Sequence, residues 1–123
     1  MIKVLKFGGT SVGSAANMKK VAEIVRREQA RITVLSAMSG TTDSLVRISR
    51  AAASGDRNAI EEQLAMLTDK YTRCIEELLR ERKQQALARM NATFGLIRDE
   101  AAAFEEYESE RKIIAQGELL TSA

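Results

Sequence analysis

Two short apolar segments, separated by a stretch with helical periodicity, constrain the fold of this chain most strongly. Residues 2–7 and 32–36 are short and apolar, so both are predicted to be strands. Between them, residues 14–29 place apolar side chains at the spacing of an amphipathic helix. A helical crossover of this length joins parallel strands, with a right-handed connection. The sequence therefore predicts a βαβ unit of an α/β fold, in a mainly parallel sheet that is covered on both faces.

The middle of the chain is predicted to form a long helical hairpin, which the absence of proline favours. After a loop over residues 37–43, one helix ends near Gly55, and Asp56 is placed to cap the next. Two apolar stripes follow, in residues 57–80 (Ile60, Leu64, Leu67, Tyr71, Cys74 and Leu78) and 83–106 (Leu87, Met90, Phe94, Ile97, Ala101 and Phe104). Stripes with this spacing favour two antiparallel helices with coiled-coil-like packing. One continuous helix is the alternative, because the polar turn between the stripes contains no glycine or proline.

A last helix is predicted from about Glu108, with an interruption at Gly117 and Glu118. Its apolar side chains are Ile113, Ile114, Leu119 and Leu120. Two strands leave open sheet edges, and burial of the hairpin stripes at best offsets the entropy lost in ordering the two helices. A larger sheet or an oligomer is therefore expected to complete the structure.

Composition and charge argue against several classes of function. The chain has 19 basic and 17 acidic residues and a net charge of +2, and their even mixing gives no case for a nucleic-acid or membrane surface. It contains no histidine, which rules out histidine bases and most zinc sites in this segment. The single cysteine, Cys74, lies in an apolar stripe and is interpreted as a small core residue. We find no signal-peptide pattern, no apolar run of transmembrane length and no possible internal disulfide, so a cytoplasmic location is expected.

The turn after the first strand combines features of a phosphate site. Adjacent Gly8 and Gly9 carry no Cβ, so the backbone can come close to a ligand. Amides at the N-terminus of the following helix, together with the helix dipole, suit an anion, and Lys6 adds a positive charge. Thr10 and Ser11 add hydroxyls and can cap the turn. The pattern fits neither the P-loop nor the G-x-G-x-x-G motif, and an ordinary strand-to-helix turn is the alternative.

The loop after the second strand repeats this arrangement. Parallel strands end at one edge of the sheet, so this loop is expected to face the same crevice as the first. Its small residues leave room for a ligand, and its polar residues supply hydroxyls, a carboxylate and a helix N-cap. The small residues are Ser36, Ala37, Ser39 and Gly40, and the polar ones are Thr41, Thr42 and Asp43. Helix capping alone is the alternative, but it accounts for only one or two of them.

The motifs resemble those of a known family. The string Lys6-Phe7-Gly8-Gly9-Thr10-Ser11-Val12 resembles the N-terminal signature of the aspartokinases, which have the amino-acid kinase fold. The second loop and the segment Gly117-Glu118-Leu119 also resemble aspartokinase segments, whereas the hairpin matches only in helical character. The resemblance implies that residues 1–123 are the N-terminal fragment of an α/β/α sandwich, namely a βαβ unit, a long helical hairpin and a further helix. The remainder of the catalytic domain and any ACT regulatory domains are absent from this segment.

The resemblance also implies a reaction, the transfer of a phosphoryl group from ATP to the side-chain carboxylate of L-aspartate, which begins lysine, threonine and methionine biosynthesis. It assigns catalysis to Lys6, aspartate binding to Thr42 and Glu118, and ATP or phosphate binding to Lys6, Phe7, Gly8, Gly9, Thr10, Ser11 and Ser36. Glu118 is expected to hold the substrate ammonium group. Mg²⁺ would accompany ATP, although the segment contains no recognisable metal ligands. Asp43 stands where asparagine is frequent, and Gln116 where arginine or histidine is frequent, so neither receives a role.

The same resemblance implies a homo-oligomer for the full-length protein and no activity for the 123-residue piece alone. Two other functions remain open. One is another kinase of the same fold, acting on glutamate or acetylglutamate, although Phe7, Thr10 and Ser11 argue against it. The other is a non-catalytic interaction module that binds through the hairpin of residues 56–106. Such a module would expose one apolar stripe of the hairpin, whereas a kinase segment would bury both.

Overall fold

The computed structural model describes residues 2–103 and 106–122, which alternate strand and helix at first and are helical thereafter. The elements are β1 (Val4–Phe7), α1 (Ala15–Glu28), β2 (Ile32–Leu35), α2 (Thr41–Ser54), α3 (Arg57–Leu78), α4 (Lys83–Ala102) and α5 (Glu106–Ser122). This order confirms the predicted βαβ unit, the hairpin and the final helix.

The two strands form the parallel pair that the sequence predicts. Val4 lies opposite Ile32, and Phe7 lies opposite Leu35. Paired residues share a face of the sheet, and the face that carries Val4, Ile32 and Val34 is open to solvent: Val4 is 58% exposed and Ile32 is 50% exposed. The expected cover on both faces of the sheet is therefore not found within the described residues.

The crossover helix α1 has a side-chain cap at its N-terminus and basic residues at its C-terminus. The Oγ atom of Ser14 accepts a hydrogen bond from the Asn17 amide at 3.2 Å, which satisfies one of the amides that a helix leaves unpaired. Arg26 and Arg27 lie in its last turn, where positive charge is favourable beside the helix dipole. α1 packs against α3, and this contact joins the βαβ unit to the helical part of the chain.

The predicted hairpin is confirmed, and the alternative of one continuous helix is wrong. α3 ends at Leu78 and α4 begins at Lys83, after Arg82 adopts a left-handed conformation with φ of 57°. Both helices end earlier than the predicted residues 80 and 106. The buried members of the two stripes are Ile60, Leu64, Leu67, Tyr71, Cys74, Met90, Phe94, Ile97 and Ala101, and Phe104 lies outside the described residues. Cys74 is buried, as interpreted from the sequence.

The final helix differs from its prediction. α5 continues through Gly117 and Glu118 without an interruption. Gly117 is instead buried, and it lies where α5 packs closely on α2. A glycine inside a helix can allow a neighbouring helix to pack closely, and a glycine can also end a helix. The sequence alone does not distinguish these two roles. No helix within residues 2–103 and 106–122 has the length and hydropathy needed to cross a membrane.

Candidate functional site

The loops that follow β1 and β2 are hydrogen-bonded to each other. The amide of Ser36 donates to the carbonyl of Phe7 at 3.1 Å, and the amide of Ser39 donates to the carbonyl of Gly9 at 3.2 Å. Two strand ends at the same edge of a parallel sheet produce this arrangement. The two motifs identified from the sequence therefore meet in space.

The first loop, residues 8–14, is a series of tight turns held by its own backbone. The Val12 amide donates to the Gly8 carbonyl at 3.3 Å, and the Gly13 amide donates to the Thr10 carbonyl at 3.2 Å. The Asn17 side-chain amide also donates to the Thr10 carbonyl, at 3.0 Å. By contrast, no acceptor within the described residues pairs with the backbone amides of Gly8 and Gly9. These two amides are the donors that a phosphate oxygen would require.

The hydroxyls of Thr10 and Ser11 do not cap α1, since Ser14 does. Thr10 and Ser11 are exposed and, with Phe7 and Lys20, line a shallow groove between the first loop and α1. Lys6 lies on the opposite face of the sheet from its neighbour Phe7 and is exposed. The structure therefore brings Phe7, Thr10 and Ser11 together and leaves Lys6 on the other side of the strand.

The two adjacent glycines have different environments. A Cβ atom on Gly9 would lie 2.9 Å from the Ala37 carbonyl oxygen, whereas a Cβ atom on Gly8 would meet nothing within 4 Å. Gly9 is therefore required by the contact between the loops, and Gly8 is the glycine that is open to a ligand. Gly13, which the sequence did not single out, also belongs to this contact, since its Cβ would lie 2.7 Å from the Ser39 Oγ atom.

The second loop leads into α2 through Gly40, which has φ of 84° and precedes the first helical residue. The N-cap that we expected among Thr41, Thr42 and Asp43 is instead Gly40, which makes no side-chain cap hydrogen bond, and Asp43 lies in the first turn of α2. Ser36 is half-buried and Thr42 is exposed. Thr41 is completely buried, so its hydroxyl serves the interior and is not one of the ligand-facing groups that we expected.

Two neighbouring residues of α3 bind the second loop, and the sequence had assigned neither of them to the site. The Tyr71 hydroxyl and the Thr41 Oγ atom are hydrogen-bonded at 2.8 Å in the interior, and the Lys70 ammonium donates to the Ser39 carbonyl. Burial raises the pKa of the Tyr71 phenol, while the hydrogen bond with Thr41 acts to lower that pKa. The sequence does contain one indication of the role of Tyr71, because it is the one residue with a hydroxyl group in the apolar stripe of residues 57–80.

Helix α5 completes the site by packing directly on the second loop. A Cβ atom on Gly117 would lie 3.1 Å from the Ala37 Cβ atom and 3.5 Å from the Thr41 Cγ2 atom. Thr42 and Glu118 each follow one of these contacting residues, Thr41 and Gly117, and both are exposed. The approach of Thr41 and Gly117 thus joins residues that are 76 positions apart in the sequence.

The described residues contain no cluster of three or more histidine, cysteine, aspartate or glutamate side chains that could hold a metal ion. Within these residues, the polar groups near the two loops include hydroxyls, backbone amides, the ammonium groups of Lys20 and Lys70, and the carboxylates of Asp43 and Glu118. Such groups bind anions and small zwitterions.

Comparison with known proteins gives a consistent result. Residues 1–120 match the model of the amino acid kinase family. Aspartokinase 1 of Arabidopsis thaliana, a chloroplastic protein, is 42% identical over 79 residues, which cover 61% of this chain and 14% of that protein. Aspartate kinase of Pseudomonas fluorescens is 40% identical over 68 residues, which cover 52% of this chain and 16% of that protein.

Solved structures agree with the sequence comparisons. Escherichia coli aspartokinase III in complex with lysine and aspartate superposes with a TM-score of 0.87 at 26% identity, covering 98% of this chain and 27% of that one. The same enzyme in complex with aspartate and ADP superposes with a TM-score of 0.80 at 25% identity, covering 99% of this chain and 27% of that one. The chain thus spans about a quarter of the solved structures, and a smaller part of the relatives matched by sequence.

The different environments of Gly8 and Gly9 lead to a matched pair of variants. Gly9→Ala is expected to lower the free energy of unfolding by about 1–3 kcal/mol, because its Cβ overlaps a backbone oxygen that cannot move independently. Gly8→Ala is expected to change that free energy by no more than about 1 kcal/mol, since its Cβ points into open space. Urea denaturation measures both. Equal effects of the two substitutions would contradict the loop contact described above.

Proposed function

Because the chain belongs to the amino acid kinase family, we propose that residues 1–123 form the N-terminal piece of an aspartokinase catalytic domain. The proposed reaction transfers the γ-phosphoryl group of ATP to the side-chain carboxylate of L-aspartate and yields 4-phospho-L-aspartate, the first step of lysine, threonine and methionine biosynthesis. The observation that carries the proposal is the packing of α5 on the second loop. It supports a shared role for Thr42 and Glu118, the residues assigned to aspartate by family resemblance.

The first loop is proposed to bind the phosphates of ATP. The amides of Gly8 and Gly9 have no acceptor within the described residues, and the open space at Gly8 admits a phosphate close to the backbone. Lys6 would offset charge on the β- and γ-phosphates. Phosphoryl transfer depends mainly on positioning and charge stabilisation, so a fixed cation and fixed amides supply what the reaction needs.

The second loop and α5 are proposed to bind the phosphoryl acceptor. The carboxylate of Glu118 would hold the substrate ammonium by a charge-assisted hydrogen bond, and the exposed hydroxyl of Thr42 would contact the same molecule. Ser36, at the end of β2, would line the boundary between the two substrates. Together these contacts would orient the acceptor carboxylate towards the γ-phosphoryl group.

Mg²⁺ is expected to enter with ATP, bound to the phosphates. The described residues bring together no set of side chains that fits it, so no step of the proposed mechanism is assigned to the ion. The remaining groups of the nucleotide site, and any homo-oligomer contacts, would belong to the part of the kinase that this chain does not cover.

The hairpin gives little support to the interaction-module alternative. Leu64 and Ile97, one from each apolar stripe, are 1% and 0% exposed, and the other described members of both stripes are buried in the core or partly buried against it. Tyr71 and Phe94 pack edge-to-face across the hairpin, with ring centroids 6.0 Å apart. The apolar surface that such a module would need is therefore already covered.

The activity is tested in the complete kinase that contains residues 1–123, supplied with ATP, magnesium and one acceptor at a time. Hydroxylamine traps the acyl phosphate product as a hydroxamate. Turnover with L-aspartate, and much less with glutamate or acetylglutamate, is expected. The isolated 123-residue chain serves as a second arm and should give no turnover. Preference for another acceptor would overturn the proposed substrate, and activity of the isolated chain would overturn its interpretation as an incomplete piece.

Removal of the Lys6 charge tests the phosphate-binding role of the first strand. Lys6→Ala in the complete kinase should lower kcat by about 100-fold or more, because a fixed cation stabilises the transition state more than the ground state. Lys6→Arg should restore little of this loss, since a planar guanidinium does not fill the place of a compact ammonium. Lys19→Ala is the matched control, because Lys19 is an exposed lysine on α1. A normal kcat in Lys6→Ala would refute the assigned role.

A second substitution tests the acceptor site. Glu118→Gln keeps the shape of the side chain and removes its charge, so KM for aspartate should rise about 10-fold or more while KM for ATP changes much less. Glu62→Gln, which alters an exposed glutamate on α3, is the control and should leave both constants unchanged. If Glu118→Gln folds normally and KM for aspartate is unchanged, Glu118 does not bind the substrate and the acceptor assignment fails.

A further inference from the structure

Helix α3 contacts the second loop at successive positions of the chain. Lys70 donates a hydrogen bond to the Ser39 carbonyl, and Tyr71, the next residue, is hydrogen-bonded to Thr41 at 2.8 Å. These contacts hold the loop on both sides of Gly40, the glycine with φ of 84°. A glycine gives the backbone more freedom than any other residue, so the geometry of this loop depends on contacts from outside it.

The Thr41–Tyr71 hydrogen bond lies in the interior. Thr41 is 0% exposed and Tyr71 is 4% exposed, and their surroundings include Leu45, Phe94 and Gly117. Water does not compete for a hydrogen bond in such a place, and a buried hydroxyl that loses its partner is costly. The bond is also directional, so it fixes the orientation of the first turn of α2 in a way that apolar packing alone would not.

This pair is adjacent to the proposed acceptor site. Thr41 directly precedes Thr42, and Thr121, which lines the same small cavity as Tyr71, lies one helical turn after Gly117 and close to Glu118 on α5. One phenol therefore is hydrogen-bonded to the first of the two elements that carry the residues assigned to aspartate, and lies beside the second. A valine at position 41 and a phenylalanine at position 71 would fill nearly the same space without the hydrogen bond.

We propose that Tyr71 is a positioning residue, whose hydroxyl holds Thr41 in place where α2 packs on α5, and thereby sets the distance and orientation of Thr42 relative to Glu118. The proposal rests on the function proposed above for these two residues. It assigns Tyr71 no contact with either substrate. Its effect reaches the acceptor through the first turn of α2 and the last turns of α5, and the ATP side of the site is not involved.

The test uses single hydroxyl deletions in the complete kinase. Tyr71→Phe and Thr41→Val should each raise KM for aspartate by about 5-fold or more and change KM for ATP by less than about 2-fold. Thr41→Ser keeps a hydroxyl and should restore the parental KM. Thr72→Val is the matched control, because it removes a hydroxyl from the next residue of α3, which contacts the Met90 sulfur and not the second loop.

Amide hydrogen exchange provides a readout that does not depend on the substrate. The amides of Thr41 and Ser44, which donate to the carbonyls of Met38 and Gly40, should exchange faster in Tyr71→Phe than in the parent and in Thr72→Val. Unchanged exchange together with an unchanged KM for aspartate would overturn the proposal, even if the variant were less stable. If the parent does not phosphorylate aspartate, the proposed function fails, and the exchange measurement alone decides whether Tyr71 holds the loop.

Discussion

The site depends on one point of close backbone contact, at Ala37. Gly9 of the first loop and Gly117 of α5 both pack against this residue, and a Cβ atom would lie 2.9 Å from its carbonyl oxygen at Gly9 and 3.1 Å from its Cβ atom at Gly117. Through Gly9 the contact joins the two loops, and through Gly117 it joins the second loop to the last helix. Because each partner is a glycine, the contact is set by backbone and Cβ positions, which are less adaptable than long side chains. Thr42 and Glu118 directly follow Thr41 and Gly117, the residues that meet beside this contact.

The helical part of the chain acts as a support for the second loop. α3 binds that loop through Lys70 and Tyr71, and its opposite contacts are with the hairpin core, which includes Leu64 and Ile97. The sheet is less complete, since the face that carries Val4 and Ile32 is open to solvent. In the proposed kinase, the remainder of the catalytic domain would cover this face, and Lys6, which lies on it, would then be enclosed with the nucleotide.

Most of the fold was accessible from the sequence because it is encoded in local periodicity and in side-chain chemistry. The βαβ unit, the hairpin and the meeting of the two loops follow from apolar spacing and from the geometry of parallel strands. Glycines were harder to interpret. Gly117 looked like a helix interruption and is a packing position, and Gly9 looked like a ligand contact and is also a loop contact. The buried bond of Thr41 to Tyr71 joins residues 30 positions apart, and no local pattern reveals such a pair.

The central claim is that aspartate binds where α5 meets the second loop. A crystal structure of the complete kinase with aspartate and ADP tests this claim most directly. The account predicts the aspartate ammonium about 2.7–3.2 Å from the Glu118 carboxylate, with Thr42 in contact with the same molecule and the ADP phosphates at the amides of Gly8 and Gly9. Aspartate bound elsewhere, with Glu118 directed into solvent, would contradict it.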